Sequence, residues 1–238
     1  MDRPKFKRVL LKLSGTVFGG DNGQGIDPAA VAATASVIKN AKASGVEIAI
    51  VNGGGNLFRY RQVKDTKMRR IYADSIGMIG TMMNALSLQD MLEQAGVPTV
   101  VHSSVEVSNV VKPFVIQDAQ QDLADGQVVI ICGGTGHPFF TTDTAAVLRA
   151  LEVEADAVLK ATDVDGVYDD NPKENPNAKR FPEVTFKKAL EGNLKIMDAT
   201  AFALAQENEL PIIVFNFSAA GALSDVLQGK EIGTLVHI

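Results

Sequence analysis

Two glycine-bearing stretches of this sequence have the make-up of anion cradles. Gly133–Thr144 reads GGTGHPFFTTDT, follows the apolar run Val128–Cys132 and precedes the helical pattern Ala145–Leu151. A strand that ends in uncovered backbone, followed by a helix starting under Thr141, Thr142 and Asp143, brings orphan N–H donors and the positive end of a helix dipole together. Asn52-Gly53-Gly54-Gly55-Asn56 repeats the design after the strand run Glu47–Val51 and leads into Leu57-Phe58-Arg59. Glycines also simply make turns. Two such loops, one followed by Arg59 and the other by Thr, Thr and Asp, favour two phosphorylated ligands. Lys12 and Lys160 each lie near the carboxyl end of an apolar run, where ligands of open α/β sheets gather. Either alone reads as a lysine reaching water. Asp143 can hold both lysines, reach a metal through water, or answer the helix dipole. Asp74, in an otherwise apolar helical stretch, can accept from a ribose or pair with Arg69 or Arg70. The chemistry these types serve together is phosphoryl transfer, which needs cations and N–H donors around the moving group, an in-line arrangement and a metal.

The elements that must carry these residues alternate. Strand patterns cover Phe6–Leu13, Val46–Val51, Val97–Val101, Val128–Cys132, Ala157–Lys160, Pro211–Phe215 and Gly233–His237. Helical patterns cover Ala29–Ala43 behind an Asp27-Pro28 start, about Met68–Ala95, Val115–Ala124, Thr144–Val153, Thr185–Glu191, Ala199–Asn208 behind Asp198, and Ala219–Leu227. Gly19–Gly25 reads as a flexible loop, Gln62–Lys67 as a polar and mobile one, and Asn171–Arg180 as a loop. This alternation predicts a mainly parallel sheet covered on both faces, as one domain over residues 1–238.

Composition narrows the partners. Lys and Arg total 23 against 28 Asp and Glu, a net charge of −5, so the chain is a poor nucleic-acid binder. A single cysteine, Cys132, excludes a disulfide within the chain and reads as a small core residue. Met1–Arg8 is charged, Lys12 breaks Val9–Leu13, and no run approaches the ~20 apolar residues of a membrane span. A cytoplasmic protein without a membrane segment is the expectation. Walker A is absent. G-x-G-x-x-G fails at Phe58 in one loop and at Phe139 in the other. H-E-x-x-H, C-x-x-C and G-x-S-x-G are also absent, so no protein-held metal site is expected.

Lys12-Leu13-Ser14-Gly15, Gly53–Arg59, the helix at Met78–Asn84, Thr135-Gly136 with Pro138–Asp143, and Lys160-Ala161-Thr162 with Val164–Tyr168 resemble the bacterial uridylate kinases (UMP kinases) of the amino acid kinase superfamily. The resemblance covers nearly the whole chain. The PFFTTD-type loop selects this branch over acetylglutamate, glutamate, carbamate and aspartate kinases. It implies a three-layer α/β sandwich around a largely parallel sheet, the carbamate kinase-like fold, assembled as a homohexamer. It implies direct transfer of the ATP γ-phosphoryl to UMP, with Mg²⁺ accompanying ATP, in pyrimidine nucleotide biosynthesis.

Residue by residue, the resemblance puts Lys12, Leu13, Ser14 and Gly15 at the ATP phosphates, with Gly55 and Arg59 on the same side, and Thr162, Tyr168 and Asn171 at adenosine. Gly54, Asp74, Thr135, Gly136, His137, Pro138, Phe139, Phe140, Thr141 and Thr142 fall to UMP. Lys12, Arg59, Asp143 and Lys160 fall to the transfer itself. Gly20, Asp21, Asn22, Gly23, Gln24 and Gly25 match a loop tied to GTP activation and UTP inhibition, although Gln89–Val101 has no Arg or Lys to grip a triphosphate. Thr16, Tyr60, His137 and Asn171 stand where the family usually has Glu, Gly, Asn and Asp. Two other readings are a sibling kinase with another acceptor and a catalytically silent nucleotide-binding regulator. The four transfer charges argue against silence.

Overall fold

The computed structural model describes residues 6–194 and 196–238. Met1–Lys5 of the charged amino-terminal stretch lie outside the described residues. The strands are β1 (Arg8–Leu13), β2 (Glu47–Asn52), β3 (Thr99–Ser103), β4 (Lys112–Pro113), β5 (Val128–Cys132), β6 (Ala157–Thr162), β7 (Val167–Tyr168), β8 (Arg180–Phe181), β9 (Glu183–Thr185), β10 (Ile212–Asn216) and β11 (Thr234–His237). The helices are α1 (Pro28–Lys42), α2 (Tyr60–Val63), α3 (Arg70–Gln94), α4 (Ile116–Ala124), α5 (Thr142–Glu152), α6 (Phe186–Glu191), α7 (Ala199–Glu207) and α8 (Ala222–Leu227).

Among the described residues, nine strands form one sheet in the order β4-β3-β5-β2-β1-β6-β10-β11-β9. Only β10 and β11 pair antiparallel within it. Its central strands are apolar on both faces because helices cover both. Along β1 the period of two sends Val9, Leu11 and Leu13 into a core shared with α1, α3 and α8. Leu10 enters a second core shared with α4, α5, α6 and α7. The largely parallel, three-layer α/β architecture expected from the alternation is therefore present. Cys132 is buried in the first core, and burial pushes its thiol up to about 11, which leaves it unreactive. No described helix is long and apolar enough to cross a membrane.

Helix starts follow local chemistry. The Asp27 carboxylate accepts from the Ala29 and Ala30 N–H groups ahead of α1. Thr141 Oγ1 accepts from Asp143 and Thr144 N–H, so α5 begins at Thr142, two residues before the expected Thr144. Other expectations change more. Gly19–Gly25 holds a short 3-10 turn at Gly20–Asn22 and is fastened to the second glycine loop: Gly25 N–H donates to Asn56 O at 2.9 Å, and Asn56 Nδ2 to Gly25 O at 2.5 Å. The polar stretch after Arg59 opens in the short α2. Arg180, expected at a loop's end, pairs with Tyr168 in the β7–β8 hairpin. β4, β8 and β9 span two or three residues each, too few to leave a periodic pattern.

An amide cluster holds the Gly53–Asn56 loop against α3. Asn84 is fully buried; its Nδ2 donates to Gly53 O at 2.8 Å and to Asn56 Oδ1 at 2.7 Å, and Asn56 Nδ2 returns a bond to Asn84 Oδ1 at 3.0 Å. Removing one partner strands buried polar groups, so Asn84→Ala should lower the unfolding free energy by about 2–4 kcal/mol in urea denaturation. A loss below about 1 kcal/mol would mean that the amide cluster carries little of the loop's anchorage.

Candidate active site

Lys12 and Lys160 are direct partners across neighbouring parallel strands, in the register Leu10↔Val158 and Lys12↔Lys160. Leu10 and Val158 both enter the α5-side core, so alternation sends both lysines toward that layer. There Asp143, in the first turn of α5, meets them: Lys12 Nζ lies 2.8 Å from its Oδ1 and Lys160 Nζ 2.7 Å from its Oδ2. Lys160 Nζ also donates to Ile196 O at 2.5 Å. All three side chains are largely buried, exposing 13–16%. Burial alone would raise the Asp143 carboxyl, but the two ammonium groups outweigh it and hold the carboxyl below its ordinary value. Lys160 is lowered, first by burial and further by Lys12, with Asp143 opposing both. Of the roles open to Asp143 in the sequence, the geometry contains two: it holds both lysines, and it stands in the first turn of α5, where a carboxylate answers the helix dipole. Within the triad two cations face one anion, with the Asp198 carboxylate a further, weaker influence on Lys160.

Two cavities flank this ion cluster. The first, about 680 Å³, is lined by Gly54, Gly55, Arg59, Asp74, Thr135, His137, Phe140, Thr141, Thr142 and Asp143, with Tyr60, Met78 and Thr81 among others. The second, about 640 Å³, is lined by Lys160, Thr162, Tyr168, Asn171, Leu194 and Ile196, with the Asp163–Lys173 ion pair at its rim. Asp143 borders one cavity and Lys160 the other, so the cluster is part of the wall between them.

Most expected site residues gather accordingly. Gly55 and Arg59, grouped by resemblance with the ATP phosphates, line the first cavity, and Arg59 Nε is tied to Gly55 O at 2.7 Å. Gly136, Pro138 and Phe139 are not among that cavity's lining. The Phe139 N–H instead donates to Asp74 Oδ2 at 2.8 Å, and its ring lies 5.0 Å from the Arg70 guanidinium. Arg70 also pairs with Asp74 at 3.3 Å. The ion-pair reading of Asp74 is thus present, while its carboxylate still borders the cavity.

The remaining expected ATP residues present mainly backbone or hydroxyl groups. Leu13 has its side chain in the core and its carbonyl bonded to Gly53 N–H, so only backbone is available to a ligand. Ser14 Oγ shares a 2.9 Å bond with Thr16 Oγ1. At Gly15 a Cβ would stand 2.6 Å from Asn56 Oδ1 and 2.7 Å from Gly55 N. The glycine there lets the two loops touch. In the second cavity Tyr168 donates to Asp165 at 2.5 Å.

Two residues escaped the sequence reading. Thr81, inside α3, accepts from Gly133 N–H at 2.7 Å and so fixes the start of the Gly133–Thr144 loop. A lone threonine in a helical pattern gives no sign of that. Asp198, read only as a helix cap, also accepts from Thr141 Oγ1 at 2.5 Å and Thr144 Oγ1 at 3.1 Å. It ties α7 to the start of α5.

The model of the Amino acid kinase family matches residues 7–216. A UMP kinase from Bacillus anthracis superimposes with a TM-score of 0.95 at 35% identity, over 98% of this chain and 97% of that one. A UMP kinase from Ureaplasma parvum gives 0.92 at 38% identity, over 98% and 99%. A uridylate kinase from Archaeoglobus fulgidus shares the fold, with a TM-score of 0.72 at 24% identity over 96% and 99%. With its sheet, its paired strand-end lysines and this match along nearly its whole length, the chain belongs to the amino acid kinase family.

Proposed function

We propose that this chain is an ATP-dependent UMP kinase acting as one unit over residues 1–238 and transferring the γ-phosphoryl of ATP directly to the phosphate of UMP. The observation that carries the reading is the Lys12–Asp143–Lys160 cluster between two nucleotide-sized cavities. UMP belongs in the first cavity, at the start of α5 with Asp74 on its wall. ATP belongs in the second, its adenosine by Thr162, Tyr168 and Asn171 and its phosphates directed at the lysines.

In the transfer the bond from Pγ to the β-bridging oxygen breaks as a UMP phosphate oxygen bonds to Pγ, giving ADP and UDP. A phosphate monoester with a second pKa near ~6 is largely dianionic at pH 7 and needs no general base. Asp143, held below its ordinary value, is a weak base whose oxygens face ammonium groups. Its part is to fix the lysines. Lys12, Lys160 and, from the acceptor side, Arg59 stabilise charge on the oxygens of the moving group.

A magnesium ion accompanying ATP would neutralise phosphate charge. Among the described residues no three His, Cys, Asp or Glu groups gather as a cage. With both Asp143 oxygens turned to ammonium groups, the residues present fit an ion that would be held mainly by the nucleotide phosphates and water rather than by a protein cage.

The same reading includes a homohexamer, control through Gly20–Gly25, and a cytoplasmic place in pyrimidine nucleotide biosynthesis. Tyr72, Ile76, Ile79 and Met83 form an exposed apolar stripe on α3, which supports self-association. The bonds between Gly25 and Asn56 give the control loop a connection to the Gly53–Asn56 backbone.

ADP release should be measured with UMP, CMP, dCMP, carbamate and N-acetylglutamate as acceptors. Turnover with UMP alone is expected; another acceptor would point to a sibling kinase, and none to a silent regulator. Lys12→Ala should cut turnover by ~10²–10³ while UMP binding changes far less; near-normal turnover would remove Lys12 from the transfer. Because the Asp143 carboxyl is lowered in the folded state, its contribution to stability is complete above the unfolded value of about 3.9 and is lost as pH falls through the lower folded value. Asp143→Asn should be the less stable protein at pH 7, yet should lose less stability than the parent below about pH 4. Parallel pH profiles would contradict the ion-pair assignment.

A further inference from the structure

The Gly133–His137 turn is held from beneath by two residues that touch neither cavity. Ser104 follows β3, and its Oγ donates to Gly134 O at 2.9 Å. Arg149, on α5 and 6% exposed, donates from Nη2 to Ser104 Oγ at 3.0 Å and, at 3.5 Å, to Gly134 O itself. Its Nη1 pairs with Glu152, and its guanidinium lies 4.4 Å from the Phe114 ring centroid. The hydroxyl can satisfy both neighbours at once, accepting from the guanidinium with a lone pair and giving its proton to the carbonyl. The backbone above is packed just as closely. At Gly136, with φ +79°, a Cβ would stand 2.9 Å from Ser104 O. Nη1 is taken by Glu152 and Nε has no partner among the described residues, so Nη2 is spent on the turn even though another donor of the same guanidinium is left unmet. The bonds into Gly134 serve the turn.

We propose that Ser104 and Arg149 are positioning residues for the acceptor: by fixing the Gly134 carbonyl downward they aim the Thr135 N–H into the first cavity. The C=O of one residue and the N–H of the next share a planar trans unit and point in opposite directions, and the chain has no cis bond among the described residues. Gly134 and Thr135 both line the first cavity. A carbonyl pinned toward Ser104 therefore leaves the N–H facing the ligand. Without the pin, this glycine at φ +59° can flip its peptide plane and present the carbonyl to an anionic ligand instead. Arg149 thus acts on the acceptor from the far side of the turn, through Ser104.

The inference rests on the first cavity being the UMP site, so its test has one arm that needs no substrate. Ser104→Ala, Arg149→Met and the double variant would be compared with the parent in steady-state kinetics. Hydrogen exchange of the ligand-free turn would be followed in parallel. Ser104→Ala, the smaller change, should fold normally. It should raise the UMP KM by about three- to tenfold, the worth of one neutral hydrogen bond, with the ATP KM within about twofold. Faster exchange across residues 134–137 should accompany this. The double variant should be no worse than Arg149→Met alone, because both side chains act through one carbonyl. Equal rises in both KM values, an unchanged UMP KM, or unchanged exchange in the turn would overturn the proposal. A parent protein that turns over ATP but not UMP would sink the acceptor assignment alone, and the exchange arm would still decide whether the two residues set the turn.

Discussion

One carboxylate held between two ammonium groups is the interaction on which the rest of the site depends. Burying charge costs several kcal/mol per ion unless partners are close and well aligned. Here the alignment comes from the sheet: adjacent parallel strands set Lys12 opposite Lys160, and α5 delivers Asp143 above both. A slip of one residue in β6 would send Lys160 to the opposite face and leave Asp143 with half its compensation. The two ammonium groups are held in place by the fold itself, which suits a reaction whose transition state carries negative charge on several oxygens.

Glycine has two distinct tasks around this cluster. Gly134 and Gly136 adopt positive φ, which most other residues resist. Gly15 and Gly54 instead allow chains to meet: a Cβ on Gly54 would stand 2.6 Å from Gly77 O in α3. The loops at the carboxyl ends of β1 and β2 consequently pack on one another and on α3. The Asn56–Asn84 amide pair then satisfies the polar groups so buried. Backbone precision at the site follows from these contacts more than from the loops' own sequences.

The walls of the two cavities also share a stretch of chain. Lys160 holds Ile196 O, and two residues later Asp198 holds Thr141 and Thr144 at the start of α5. A short stretch of chain therefore touches the wall of the second cavity and the helix that borders the first.

By itself the sequence determined the layered architecture, because strand and helix periodicities alternate and the strand runs around Leu10, Ile50 and Ile130 are mainly apolar on both faces. It determined the helix caps at Asp27 and Asp198, where a side-chain oxygen and a following helical pattern are local features, while the Thr141 cap and the start of α5 at Thr142 came from the structure. It also identified Lys12, Lys160 and Asp143 as a possible set, since each stands out against its neighbours. What it left open was whether Asp143 does more than answer the dipole: a first-turn aspartate looks the same locally whether or not it also joins two lysines. Only strand register and the approach of α5 decide that, through separations of 17 and more than 100 residues along the chain. The roles of Ser104, Arg149 and Thr81 were likewise decided by tertiary structure, because a hydrogen bond to a distant backbone atom leaves no local pattern. The short β4, β8 and β9 exist for the same reason. Two or three residues have no preference strong enough to form a strand alone, and the pairing edge that makes them one is supplied by distant chain.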